Sequence, residues 1–213
     1  IKPWVTFTNK LRKCNRKVKI GMIGKYVDLA DSYKSLNESL LHASVHNNNS
    51  LEIDFIDSED ITKKSINRLK KLQGIVVPGG FGNRGVEGKI LAANFARINN
   101  IPYFGICLGM QISVIEFARN ILGLKDANST EFDLKTPFPV ISLVTEWDDY
   151  KKGKLKGSLH QLGGTMRLGA QSCTLMKKTL AHSLYKKNII SERHRHRYEV
   201  NNKFVDQFNE TDL

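Results

Sequence analysis

The group best placed to do chemistry is the thiol of Cys107, in the run Phe104-Gly105-Ile106-Cys107-Leu108-Gly109-Met110-Gln111. A short β-like run, Ile101 to Ile106, precedes it and a helical pattern follows, so the cysteine stands where a strand passes into a helix. Gly105 and Gly109 flank it as small neighbours, which permits the tight turn of a nucleophile elbow and lifts the side chain above the sheet. A helix N-terminus carries partial positive charge and free N–H groups. The position is therefore expected to lower the thiol pKa and to leave the Leu108 N–H able to bind an oxyanion. The same spacing also admits a buried structural cysteine. Cys14, in a basic polar lead-in, and Cys173, in a mixed segment, lack this context. The three cysteines are widely separated and contain no Cys-x-x-Cys pair, so neither a disulfide framework nor a thiolate metal site is expected. That usage fits a reducing cytoplasm.

A second cluster, Pro78-Gly79-Gly80-Phe81-Gly82-Asn83-Arg84-Gly85, follows the strand-like Ile75-Val76-Val77. In a parallel sheet, loops after neighbouring strands meet at the carboxyl edge, so Gly79 and Gly80 are expected beside Cys107. Backbone N–H groups there would supply the other half of an oxyanion hole. As a phosphate loop the cluster fails. It lacks a Gly-Lys-Ser/Thr ending, and Gly80-x-Gly82-x-x-Gly85 follows the third strand rather than the first.

The elements that must position these groups alternate in type. Val18 to Gly24, Leu51 to Ile56, Gly74 to Pro78 and Ile101 to Ile106 read as strands. Tyr33 to Ser44 (with Asp31 or Ser32 as N-cap), Ile61 to Leu72, Ile90 to Ile98 and Leu108 to Leu122 read as helices. Strands alternating with helices predict an α/β fold: a doubly wound, mostly parallel sheet with helices on both faces. Beyond Pro137 and Pro139, Val140 to Thr145, Gly163 to Ala170 and Ile189 to Val200 read as a few extra antiparallel strands.

Composition limits the function classes. The 213 residues suit one large domain, and 40% hydrophobic with 25% charged residues is ordinary globular usage. No apolar stretch approaches the ~18 residues of a membrane span, and the start, Ile1-Lys2-Pro3-Trp4, has no apolar block leading to a small-residue cleavage site, so no export is expected. A soluble protein without membrane association is expected. The formal charge of +12 comes from scattered lysines and arginines without interleaved aromatics, so no nucleic-acid partner is expected. The run Arg193 to Arg197 reads by itself as a solvated strand face. His194 and His196 alternate onto one side of it.

Pro78-Gly79-Gly80 and Gly105 to Gln111 together resemble the triad-type, class I glutamine amidotransferases. Further stretches are similar to the glutaminase domains of the CTP synthase family: Ile20 to Tyr26, Asn128 to Phe132, Leu162 to Ala170 and Glu192 to Asn201. The resemblance covers about residues 18 to 203, in order. It implies that Cys107 attacks the carboxamide of L-glutamine, giving a γ-glutamyl thioester and ammonia for the amination of UTP to CTP. It implies that Gly79, Gly80 and the Leu108 backbone hold the oxyanion, and that Leu108, Gly109, Met110 and Gln111 line the substrate pocket. Glu131 matches the carboxylate that receives the α-amino group, and Arg197 the arginine near bound glutamine. His194 and His196 match no catalytic base and are expected to be structural or interdomain.

The resemblance also implies parts that these residues do not contain. The family's base is a histidine in a His-Pro-Glu motif, and none of His42, His46, His160, His182, His194 or His196 is followed by Pro-Glu. A leaving amine needs a proton and a thioester needs an activated water, so that group is required. The expectation is an amidotransferase domain at 18–213, C-terminally incomplete and lacking its last strand and closing helix. Residues 1–17 are then the linker from an N-terminal amidoligase domain that binds UTP, ATP and Mg²⁺. No cofactor is expected in the present domain, and the full-length protein is expected to be a homo-oligomer.

Overall fold

The computed structural model describes residues 2–27, 31–144, 146–149, 153–156 and 166–211, with 146–149 and 153–156 described by backbone alone. The elements run α1 (Lys2–Lys13), β1 (Arg16–Gly24), α2 (Lys34–His46), β2 (Asn49–Asp57), β3 (Gly74–Val77), α3 (Val86–Ile98), β4 (Tyr103–Gly105) and α4 (Leu108–Asn120). The second half contains β5 (Ala127–Ser129), β6 (Phe138–Leu143), β7 (Glu146–Asp149), β8 (Gly153–Lys156), β9 (Arg167–Thr174), α5 (Leu180–Tyr185), β10 (Ile189–His196), β11 (Tyr198–Val200) and α6 (Val205–Asn209). No helix of the described residues is long and apolar enough to cross a membrane.

The first four strands form one parallel sheet in the order β2-β1-β3-β4. Both faces are covered, as the near-continuous apolar runs require. Ile23, Ile75 and Val77 pack on one face with Ala92, Phe95 and Ala96 of α3. Met22 and Val76, register partners on the other face, are also buried. A second core joins α3 and α4 to β5 and β6 through Ile90, Ala93, Ile112, Ile115, Ala127 and Ile141. The parallel ladder places the residues after β1, β3 and β4 at one edge: Lys25, Gly79-Gly80 and Cys107.

The added strands are antiparallel in the pairs β6–β11, β7–β8 and β9–β10, whereas β5 pairs β6 in parallel. His160 and Leu162 to Thr165 lie outside the described residues. Residues 2–13, within the expected linker, form a helix with no buried residue.

Two local expectations are corrected. Ile61 to Leu72 is not an α-helix but holds a six-residue 3₁₀ turn, Ile66–Lys71. The Ser65 hydroxyl accepts the Thr62 N–H at 2.9 Å and donates to the Asp60 carbonyl at 2.5 Å, so side-chain bonds divert the backbone from a helical start. Neither Asp31 nor Ser32 caps α2; Tyr33 occupies that position without a side-chain cap bond. Its hydroxyl instead accepts the Lys25 N–H at 3.2 Å.

Lys89 of α3 is only 2% exposed. Burial holds its pKa down at about 8 from 10.5, with Lys25 and Arg84 pushing the same way against Asp57 and Glu59. Between those two values the unfolded chain binds a proton that the folded chain refuses, so stability falls as the pH drops from 10.5 to about 8. We expect Lys89→Met to stabilise the protein at pH 7 by on the order of 2 kcal/mol and to flatten that alkaline slope. Urea melts at pH 7 and pH 10 check this; a variant less stable than the parent at pH 7 contradicts it.

Candidate active site

Cys107 caps α4 with φ 54° and ψ −108°, a strained backbone for a residue with a Cβ. Hydrogen bonds on either side hold it there. The Ile106 N–H donates to Val77 at 3.0 Å, Gly109 N–H to Ile106 at 2.9 Å and Gln111 N–H to Cys107 at 3.1 Å. Close packing explains the flanking glycines. A Cβ on Gly105 would strike the backbone of Gly109 and Met110, and one on Gly109 would strike the Val77 carbonyl.

The neighbouring loop approaches as the parallel order requires. A Cβ on Gly79 would sit 3.4 Å from the Cys107 Cβ and 3.9 Å from its sulfur. The amides of Leu108 and Gly80 both hydrogen-bond that sulfur. Two N–H groups from different loops thus converge where negative charge would develop in an attack by the thiol.

The expected thiol activation is corrected. Burial, the largest cause, pushes the Cys107 pKa above its ordinary 9.0, and the Glu131 charge adds to this. The Leu108 and Gly80 amides only partly offset it. At neutral pH the resting group is a thiol. Withdrawal of water from the half-buried sulfur outweighs what the helix N-terminus supplies.

Cys107 opens into a cleft of about 660 Å³. Gly80 to Gly82, Gln111 and Glu131 line it, together with Met166 and the strand-end residues Arg195 to Tyr198. Glu131 Oε1 accepts the Gly82 N–H at 2.7 Å, and the Glu131 N–H donates to the buried Ser129 hydroxyl at 3.1 Å. Gln111, 4% exposed, donates from Nε2 to the Tyr198 carbonyl at 2.9 Å and so ties α4 to β11. Arg197 lies at the break between β10 and β11, where its carbonyl accepts the Val144 N–H at 2.8 Å. A carboxylate and a guanidinium on one cleft wall set complement the ammonium and carboxylate of a free amino acid.

Of the residues singled out in the sequence, Cys107, Gly80, Gln111, Glu131 and Arg197 meet in the cleft. Gly79 abuts the sulfur. Leu108 contributes its N–H while its side chain is buried, and Gly109 packs against Val77. Met110 is 39% exposed and outside the cleft lining, so of Leu108 to Gln111 only Gln111 reaches the pocket by its side chain.

Phe81, Gly82, Met166, Arg195, His196 and Tyr198 were not foreseen as lining. The alternation along β10 puts His194 and His196 on one side, and their Nδ1 atoms stand 3.2 Å apart. Burial, then His194 and Arg167, push the His196 pKa down. Among the described residues no histidine hydrogen-bonds the Cys107 thiol, and no group of three or more metal-ligating side chains assembles.

The fold and elbow are those of a known family, and the model of class-I glutamine amidotransferases matches residues 28–212. The chain belongs to the class I glutamine amidotransferases. A solved glutaminase domain of Trypanosoma brucei CTP synthase, with bound acivicin, is 40% identical to it. That likeness covers 91% of this chain and 72% of the other, with a TM-score of 0.78. Within the family the chain is therefore of the CTP synthase type, a glutamine-hydrolysing domain.

Proposed function

We propose that Cys107 is the nucleophile of this hydrolysis and that the cleft binds L-glutamine with its α-amino group at Glu131 and its α-carboxylate towards Arg197. The observation that carries this is the convergence of the Gly80 and Leu108 amides on the sulfur, in a cleft that also holds Glu131 and Arg197. The sulfur, as thiolate, bonds to the side-chain amide carbon. The carbonyl electrons move to oxygen, where the two amides stabilise the charge. When the tetrahedral intermediate collapses, the C–N bond breaks and the amine leaves as ammonia after taking a proton. Water then attacks the thioester and releases glutamate and the thiol.

Because burial keeps the resting thiol protonated, the proton must pass to an acid/base before or during attack. The proposal takes that group, the histidine of a His-Pro-Glu segment, from chain outside these 213 residues. It also assigns the ammonia to an amidoligase domain that aminates UTP with ATP and Mg²⁺.

Incubation of the intact protein with acivicin, followed by peptide mass spectrometry and a glutamate-release assay, tests the reading. One label on Cys107 with loss of glutamine hydrolysis is expected. A label on Cys14 or Cys173 with Cys107 unmodified overturns the assignment.

A further inference from the structure

The loop that carries Gly80 is only lightly covered: Gly79 and Phe81 are exposed, Phe81 by 72%, and Gly82 adopts φ +73°, a conformation that favours glycine. Arg84 ties its far end to Glu59 and Asp57, and next to Gly80 it is gripped at one peptide group. The Phe81 carbonyl accepts a hydrogen bond from Lys25 Nζ, and the N–H of the same peptide, on Gly82, donates to Glu131 Oε1 at 2.7 Å. In a trans peptide these two groups point in opposite directions, so a cation grips one side and an anion the other. Both bonds are charge-assisted and aligned with the peptide dipole. Lys25 comes from the end of β1 and Glu131 from the turn after β5, so the clamp ties the loop to two separate parts of the fold.

We infer that Lys25 is a positioning residue: with Glu131 it fixes the Phe81–Gly82 peptide, and thereby keeps the Gly80 N–H directed at Cys107 and at the oxyanion formed there. This rests on the proposed reading of Cys107 and Glu131. Rotation of that peptide breaks both charged bonds, and only Gly80 and Phe81 separate it from the amide at the sulfur. Glycine at 79 and 80 offers no side chain to resist such a turn. Glu131 thus serves two ends. Oε1 holds the loop, while among the described residues Oε2 has no hydrogen-bond partner and is available to an arriving ammonium. Substrate amine binding and oxyanion geometry then share one carboxylate.

The test compares the intact protein with Lys25→Met and Lys25→Arg in steady-state glutamine hydrolysis, with iodoacetamide alkylation of Cys107 and thermal melting as controls. Loss of one oxyanion donor costs about 10²–10³ in kcat, and a misdirected one should cost roughly 10–100-fold, with KM changed by less than about threefold. Tm should stay near the parent value in Lys25→Met, and alkylation, which builds no oxyanion but uses the thiolate that the Gly80 amide helps to stabilise, should slow by less than kcat falls. Lys25→Arg, which keeps a cationic donor, should recover most of kcat.

Glu131 gives a second arm on glutaramate, an amide substrate without the α-amino group. There Glu131→Ala should fall roughly tenfold below Glu131→Gln in kcat, because only glutamine retains an acceptor for the Gly82 N–H. A Lys25→Met enzyme with kcat within about twofold of the parent overturns the clamp, as does a loss carried by KM alone. If Lys25→Met does not fold, the Glu131 pair decides: equal kcat on glutaramate overturns the clamp. Absence of glutamine hydrolysis in the parent protein would instead overturn the functional reading, before any variant is compared.

Discussion

Cys107→Ala is expected to lower glutamine hydrolysis by on the order of 10⁴–10⁶-fold, the scale on which removing a nucleophile acts when the rest of the site remains. The methyl group of alanine fits where the thiol stood, so the strained φ of 54° at the elbow is retained and the cleft keeps its shape. Glutamine should still bind, because Glu131, Arg197 and Gln111 line the cleft independently of the sulfur. A nearly unchanged Kd with lost turnover is therefore the signature. Cys14→Ala and Cys173→Ala should stay within about twofold of the parent, since neither thiol lines the cleft. Glutamate release under saturating glutamine, with calorimetric binding in parallel, checks all three. Turnover in Cys107→Ala within about tenfold of the parent would remove the thioester mechanism.

Gly109→Ala should destabilise the protein strongly. An added Cβ overlaps the Val77 carbonyl, and the nearest atoms after that are the Val77 carbonyl carbon at 2.8 Å and Val77 Cβ at 3.0 Å. Two of these are backbone atoms of a buried parallel strand, and no flexible side chain can yield. Either β3 shifts, which disturbs the loop carrying Gly80, or α4 lifts, which moves Cys107. We expect a loss of about 3 kcal/mol or more. In a chain of this size that corresponds to a Tm lowered by roughly 6–12 °C, with activity reduced even below the transition. Differential scanning calorimetry measures it. A variant that melts with the parent would show that the close approach of α4 to β3 is not as described. Gly123→Ala contrasts usefully: nothing lies within 4 Å of its Cβ position, although its φ of +71° still disfavours alanine modestly.

Much of this was legible in the chain. The alternation of short apolar strands with helical stripes led to the parallel sheet, because parallel strands need crossovers and buried strands need apolar residues on both sides. Gly105-x-Cys107-x-Gly109 led to the elbow, because only glycine allows backbone atoms so close. The 61–72 segment misled because its apolar spacing is helical while Thr62 and Ser65 divert the backbone through their hydroxyls. Met110 misled because Gln111 next to it lines the cleft, whereas a helix carries adjacent residues to different sides.

The local order of residue types thus determined the elbow, the glycine loop opposite it and the strand sequence that brings them together. These depend on contacts between near neighbours and on the fixed geometry of βαβ connections. The protonation state of the sulfur was decided only by the folded molecule, because it depends on how much water the cleft removes and no local motif reports that. The same holds for the grip on the Phe81–Gly82 peptide. Its two partners lie 56 and 49 positions away along the chain, and only packing of the whole sheet edge brings a lysine and a glutamate to opposite ends of one amide.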